Sequence, residues 1–530
     1  MAAVALSSCN MDYNEYTAYD KEYIERSFAY VGGLMTMVYN DIDTDWGNLS
    51  GAMLSSATDE SEYSHEGNAI EDFYNGNWSA SNPHQTIWTS AYEGITYCNE
   101  IIDNWSNLDF EQFKLNIDYE KQMYLYKNYV YEARWARAYF YFTLLRQYGS
   151  VPFKTTNTTG TEETALPCTN ADDIFNFITK ECDAIKDSII EDYSANPEYI
   201  LARAETGRAN KYAVLALKAQ AAVYHASPLF SQNKSAEEKK ALWAAAVGAC
   251  KELIDAAEKK GMGLADDIES LWAIDYYSNT QSCKEIIFAR RTASANTFEG
   301  YNFPVGYSSG QGGNCPTQDL VDAFECTDGK SISESSLYNE AEPYANRDPR
   351  LTKTIVLNGD AWPNDLAEYS ADHPTVETYV GGYHSRTGNA AGKSYATPTG
   401  YYLKKFCNAN QILRARSGVS VTTSPHGWLT FRMGGMYLNY AESLFQYFKA
   451  CGNSNAADAS GSVTFSDADG NQQTVNIPAS QTAAKIASKT RTRSGMPAFV
   501  TGMTNDEFWA KYKNERRVEL AFEGHRFYDV

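Results

Sequence analysis

The sequence predicts a mostly α-helical protein, an irregular helical-repeat scaffold with long loop insertions and few short strands. Three observations predict it. Apolar residues recur at intervals of three, four and seven over several long stretches; small residues form a seam beside large aromatics; and the stretches stop at Gly or Pro. With 530 residues, 43% of them hydrophobic, the chain can bury a large core and falls outside the disordered class.

Residues 10–20 are polar and acidic without a helical or strand period, and read as a tether. A helical pattern begins around Tyr23. In "TIWTSAYEGITYCNEIIDNW", Trp88, Tyr92, Ile95, Cys98, Ile102 and Trp105 share one helical face. "YLYKNYVYEARWARAYFYFTLLRQYGSVPF" puts Tyr131, Trp135, Ala138, Phe142 and Leu145 on one stripe and stops at Gly149 and Pro152. Ala133, Ala136 and Ala138 offer small surfaces for close packing by a second helix. The design recurs in "GRANKYAVLALKAQAAVYHASPLF", which ends at Pro228, in "KKALWAAAVGACKELIDAAEKKG", and in "LTFRMGGMYLNYAESLFQYFKACG", read as one helix from Leu429. Such units resemble tetratricopeptide repeats, at irregular spacing. Insertions at roughly 41–85, 295–345, 358–400 and 453–480 are rich in Gly, Ser, Asn, Asp and aromatics, and loops on a rigid frame are where binding sites usually lie.

A net charge of −22 without any Lys/Arg run excludes nucleic acid as a partner and adhesion to anionic lipid by charge. No apolar run reaches the ~18 residues of a spanning helix, so a membrane link has to be made at the N-terminus. Tyr outnumbers Phe, 39 to 23, and Tyr tolerates a wet edge, which fits a surface that grips something flat-faced and polar. The ten cysteines include no C-x-x-C and no His at zinc spacing; Cys315 and Cys326 are the pair to test for a bridge.

Nothing in the chain nominates a catalytic site. "GYSSG" at 306–310 fits a nucleophile elbow, but Pro304 precedes Ser308 and "GQGGNCP" follows, which cannot start a helix. "DIDTDWGNLSGA" begins like a calcium loop, yet Trp46 and Ala52 stand where Gly and Glu belong; a looser site at Asp41, Asp43 and Asp45 is left open beside a solvated acidic loop. The seven His make no H-x-x-x-H pair. No cofactor is expected, and the chain reads as a non-enzyme.

The C-terminal stretch "NERRVELAFEGHRFYDV" (514–530) resembles the terminal motif of the SusD/RagB family, surface glycan-binding lipoproteins of outer-membrane import complexes. "EARWARAYFYFTLLRQYGSVPF" (132–153), "GRANKYAVLALKAQAAVYHASPLF" (207–230), "EIIFARR" (285–291), "PTQDLVDAFE" (316–325), "YANRDPRL" (344–351), "TGYYLKKF" (399–406) and "RTRSGMP" (491–497) follow the family's order. The terminal motif has a structural reading: Leu520, Phe522 and Phe527 face a core, with Arg516, Arg517 and Glu523 paired at its rim.

The resemblance implies a division into 1–20, a signal remnant with lipidated Cys9 and a tether; 21–230, the SusD-like N-terminal helical region; and 231–530, the C-terminal region with insertions, in one compact unit. Relatives continue past the equivalent of Val530 by about a helix, so a truncated C-terminus is expected. It further implies an oligo- or polysaccharide ligand, a SusC-like TonB-dependent transporter as partner, and an outer-membrane, cell-surface, lipid-anchored location. Leu6-Ser7-Ser8-Cys9 then looks like a lipobox. Sites in relatives lie in the loops here spanning 55–78 and 298–314, which nominates Tyr63, His65, Tyr74, Trp78, Tyr301 and Tyr307 as sugar platforms and Asp59 as a hydroxyl acceptor. The competing classes are a secreted carbohydrate-active hydrolase and a helical-repeat adaptor that binds no sugar.

Overall fold

The computed structural model describes residues 21–84, 87–157, 166–193, 207–273, 283–307, 309–362, 372–416 and 418–530. Cys9 and Ser308 lie outside the described residues.

Among the described residues nine long helices form the frame: α1 (Phe28–Asn40), α2 (Trp88–Asn104), α3 (Tyr119–Tyr148), α4 (Ala171–Ile185), α5 (Lys211–Ala226), α6 (Ala236–Lys259), α7 (Met433–Ala450), α8 (Ala483–Arg493) and α9 (Asn505–Glu519). Each packs on the next in chain order, the relation that stacked helical repeats require. Side chains satisfy the first turns: Asn210 caps α5, and Ser235 with Glu238 and Thr504 with Glu507 form capping boxes on α6 and α9. Gly149, at φ 71°, ends α3 where the sequence predicts.

The stripes read from the sequence mark the packing faces, except that Trp88, expected on the α2 stripe, is 39% exposed. Ala91, Gly94, Ile95, Cys98 and Ile101 of α2 are buried. Gly94 lets α3 approach: a Cβ there would stand 2.3 Å from Cζ of Phe140. Trp135 of α3 is fully buried, with its indole N–H donating to the Ala213 carbonyl of α5 at 3.1 Å.

Short antiparallel strand pairs link the segments between the helices. The strands are β1 (Ser61–Tyr63), β2 (Val151–Pro152), β3 (Cys168–Thr169), β4 (Ile286–Arg291), β5 (Asn314–Pro316), β6 (Ile355–Val356), β7 (Tyr402–Leu403), β8 (Gly427–Arg432), β9 (Gly461–Ser466) and β10 (Gln472–Ile477). They pair as β1–β5, β2–β3, β4–β8, β6–β7 and β9–β10. The helix expected from Leu429 therefore starts late: Gly427–Arg432 is β8, paired with β4 in a register that sets Leu429 opposite Ala289, and α7 begins at Met433. Trp428, Leu429 and Phe431 bury against neighbouring elements, and that packing outweighs the helical period. The 453–480 insertion holds the β9–β10 hairpin, whose Phe465 sits on Gly248 of α6.

The charged residues of the family-like stretches converge on one buried network. Arg350 is bound by Asp348, Glu515 and Glu519; Arg432 by Glu285, Glu519 and Glu523; Arg491 by Glu325 and Glu515; and Lys405 by Glu523. Burial alone would raise the carboxyl pKa of Glu523, but Arg432 and Lys405 outweigh it and hold it down at about 2. This corrects the rim reading of the terminal motif. Glu523 and Arg516 are buried, Arg516 on Asp529 and Asn439, while Arg517 at the edge reaches Asp59 and Asp319. Leu520 and Phe522 are core, and Phe527 is only half-buried.

Candidate functional site

Strand pairing brings the two nominated loops together. In the β1–β5 register, Ser61 faces Pro316, Glu62 faces Cys315 and Tyr63 faces Asn314. Asn314 knots the junction: its Oδ1 accepts from the Met53 amide at 2.8 Å, and its Nδ2 donates to Gly51 O and Asn302 Oδ1 at 3.1 and 2.8 Å. Gly51 is needed at this point. Its φ is 98°, and a Cβ would collide with the Tyr63 hydroxyl and the Tyr301 ring.

Two of the nominated rings are core and not platforms. Tyr307 is 2% exposed and stacks flat on His384, with centroids 4.7 Å apart; burial raises its phenol to about 12 and lowers the imidazole to about 4. Tyr63 is 4% exposed and donates to the Ser50 carbonyl at 3.0 Å. Tyr301 is half-buried against Gly51. Asp59 is engaged as well, in a two-pronged bond with Arg526 at 2.7 Å on each oxygen and with Arg517 beside it, so its carboxyl sits below the ordinary range. Buried apolar surface drew these rings inward because a ring in a Gly-rich loop gains more from an available core than from water.

The remaining nominees form an exposed edge around the junction. Tyr63 is the base of a ring column: His65 lies 4.9 Å above it, and Tyr395 stacks on His65 at 4.2 Å. His65 Nε2 donates to the Gln311 carbonyl at 2.9 Å, which fixes the imidazole plane, and Tyr395 is 42% exposed at the top. Tyr74, 52% exposed, donates to Glu62 Oε1 at 3.1 Å. Trp78, 42% exposed, rests on Phe73 at 4.8 Å and meets the edge of Phe527 at 6.1 Å. Asp72 holds this second platform still. Its carboxylate takes His84 at 2.6 Å and the amides of Asn75, Asn77 and Asn82, which lower its pKa to about 2, the His84 bond contributing most.

Tyr395, Arg386, Glu62, Glu66 and Asp72 were not nominated from sequence. Arg386 ties the 358–400 insertion to the first loop, donating to Glu66 Oε1 and to Ser64 O, both at 3.2 Å. The aromatic, Gly-rich composition of that insertion was the available signal; spacing does not show which ring stacks on which. Planar apolar faces beside carboxylates and a guanidinium match a ligand with an apolar face and a hydroxyl rim.

Other expectations resolve differently. Asp43 accepts from the Tyr139 hydroxyl and from Arg146, and Asp45 accepts from the Leu54 amide, so the calcium-like acids serve separate protein donors. Burial raises Asp41 and Asp45 to about 6. Among the described residues no group of three or more His, Cys, Asp and Glu gathers as a metal would require. Cys315 and Cys326 are unbridged and buried. No helix among the described residues is long and apolar enough to cross a membrane.

A family model described as "SusD family" matches residues 269–530, and one described as "Starch-binding associating with outer membrane" matches residues 20–223. A search of curated proteins finds no match. Among solved structures, a SusD-like protein from Bacteroides fragilis is 22% identical, with TM-score 0.68 over 96% of this chain and 86% of its own. A SusD-like carbohydrate-binding protein from the same organism is 20% identical, with TM-score 0.66 over the same shares. A surface glycan-binding protein A from Bacteroides uniformis is 16% identical, with TM-score 0.58 over 95% and 88%. The stacked helices, the buried charge network built from the family-like stretches and the two model matches place this chain in the SusD/RagB family.

Proposed function

We propose that the protein captures an oligo- or polysaccharide at the cell surface and delivers it to a SusC-like TonB-dependent transporter in the outer membrane, without cleaving it. The observation that carries the reading is the set of exposed rings Tyr74, Trp78 and Tyr395 on the loops joined at the β1–β5 junction, with Glu62 bonded to Tyr74 and the Glu66–Arg386 pair on the same loops. Pyranose C–H faces stack on such rings, and the charged groups take the hydroxyls. A shallow site of this kind leaves much of the ligand wet, so single-site affinity is modest, and repeating ligands raise retention through effective concentration. In this reading Cys9 carries the acyl chains, each buried CH₂ adding about 0.8 kcal/mol to membrane attachment. The family description and the name of the surface glycan-binding relative support it. The test is a glycan array with the purified chain, repeated for Trp78→Ala. Binding to a defined glycan class that weakens in the variant supports the proposal; a blank array for the wild type defeats it.

A further inference from the structure

A second aromatic surface lies apart from the β1–β5 junction, along one edge of α2. The inward face of this helix buries Ala91, Gly94, Ile95 and Cys98. The face turned away from that core is normally charged or polar on a surface helix. On α2 the edge of the core face carries Trp88 and the half-buried Tyr92, beside Thr89, Glu93 and Thr96 on the outward face, and with Lys154 beyond β2 these residues wall an open groove of about 460 Å³. That volume lies in the range of small-molecule sites, roughly 300–1,000 Å³.

The rings are held in place. Tyr92 donates its hydroxyl to the Pro152 carbonyl at 2.6 Å. Trp88 lies 4.9 Å from the Tyr92 ring and 5.1 Å edge-on from Tyr148, yet leaves 39% of its surface in water. An indole fixed by two neighbours and still exposed is a ready-made platform, since no ordering cost is left for the ligand to meet. Hydroxyl, carboxylate and ammonium groups around it supply both acceptors and donors.

The groove also connects to the first platform through side-chain contacts. Trp78 meets Phe527 at 6.1 Å, Phe527 meets Tyr528 at 5.4 Å, Tyr528 bonds Gln147, and the next residue, Tyr148, carries Trp88. We propose that the Trp88–Tyr92 groove is a second carbohydrate subsite, which takes a further stretch of the same glycan chain that the Tyr74–Trp78–Tyr395 edge holds. The inference rests on the glycan-binding reading above, and it makes the ligand a polymer rather than a short oligosaccharide.

Native affinity gels cast in turn with soluble starch, laminarin, xyloglucan, mannan and pectin test it, with the wild type, Trp88→Ala, Thr89→Arg and Trp78→Ala run side by side. Thr89 is exposed, so the arginine obstructs the groove without removing packing. Trp88→Ala and Thr89→Arg are each expected to reduce affinity for the retarding polysaccharide about threefold to tenfold, the worth of one ring contact. Retardation unchanged in both groove variants but lost in Trp78→Ala overturns the second subsite and leaves the first intact. A wild type retarded by none of the five overturns the inference together with the reading beneath it.

Discussion

Arg350 and Glu515 meet fork to fork in the protein interior, Nη1 to Oε1 at 2.7 Å and Nη2 to Oε2 at 2.9 Å, with both side chains 1% exposed. Arg350 also neutralises Asp348 and Glu519, so removing it strands Asp348 away from water and takes one cation from Glu515 and Glu519, which keep Arg491 and Arg432. Arg350→Met is expected to cost about 3–5 kcal/mol, because an uncompensated buried charge is far costlier than a missing apolar contact. Urea unfolding checks it: a midpoint near the wild-type value means the network is dispensable.

Glu60 gives the protein a pH dependence of its own. It is 1% exposed, and burial lifts its carboxyl from the ordinary 4.5 to about 8. Between those values the folded chain keeps a proton that the unfolded chain has released, so stability falls as pH rises through the window and is level on either side of it. Glu60→Gln is expected to flatten this slope and to gain roughly 2–4 kcal/mol at pH 7.5 while changing little at pH 4. Thermal melts of both proteins at those pH values decide it; parallel curves refute the buried neutral acid.

Tyr307 and Tyr395 separate core rings from surface rings. Tyr307→Ala empties a packed site beside His384 and is expected to cost about 3–5 kcal/mol of stability. Tyr395→Ala removes a 42% exposed ring and is expected to stay within about 0.5 kcal/mol of wild type while weakening glycan binding. Calorimetric melting with glycan binding on the same samples reads both effects.

Gly94→Ala would improve the helix propensity of α2 by about 1 kcal/mol if nothing were near. The new methyl meets the Phe140 ring at 2.3 Å in a sealed contact, so a net loss of about 1–3 kcal/mol is expected instead. A raised melting point shows that α2 and α3 have slack.

Cys9→Ala tests the anchor by itself. The variant is expected to bind glycan as the wild type does but to appear in the soluble fraction when membranes are sedimented. Continued sedimentation with membranes refutes acylation at Cys9.

Much of the frame was legible because helical periodicity repeats. The stripe through Ile95 and Cys98 and the stop at Gly149 were readable from spacing alone, whereas Trp88, expected on the same face, is 39% exposed. The start of α7 was not, because Leu429 and Phe431 satisfy a strand and a helix equally until β4 supplies the partner. Within the candidate site, sequence nominated the two loops that β1–β5 pairs, but it could not sort Tyr74 from Tyr307. Both rings sit in polar, Gly-rich stretches, and it is distant partners, His384 stacked on the ring and Trp362, Val356 and Tyr402 in the same cluster, that make Tyr307 core. Tyr395 escaped notice since its role depends on His65, 330 positions earlier in the chain. Glu523 looked like a rim charge because a single motif does not show the Arg432 and Lys405 that enclose it.

The clamp between Asp59 and Arg526 spans 467 positions. Contacts this remote close late, since the intervening chain must first be ordered. The loop that carries Asp59 is therefore pinned only once the distant segment bearing Arg526 folds back onto it, and a chain cut short before Arg526 would lack the clamp on that loop.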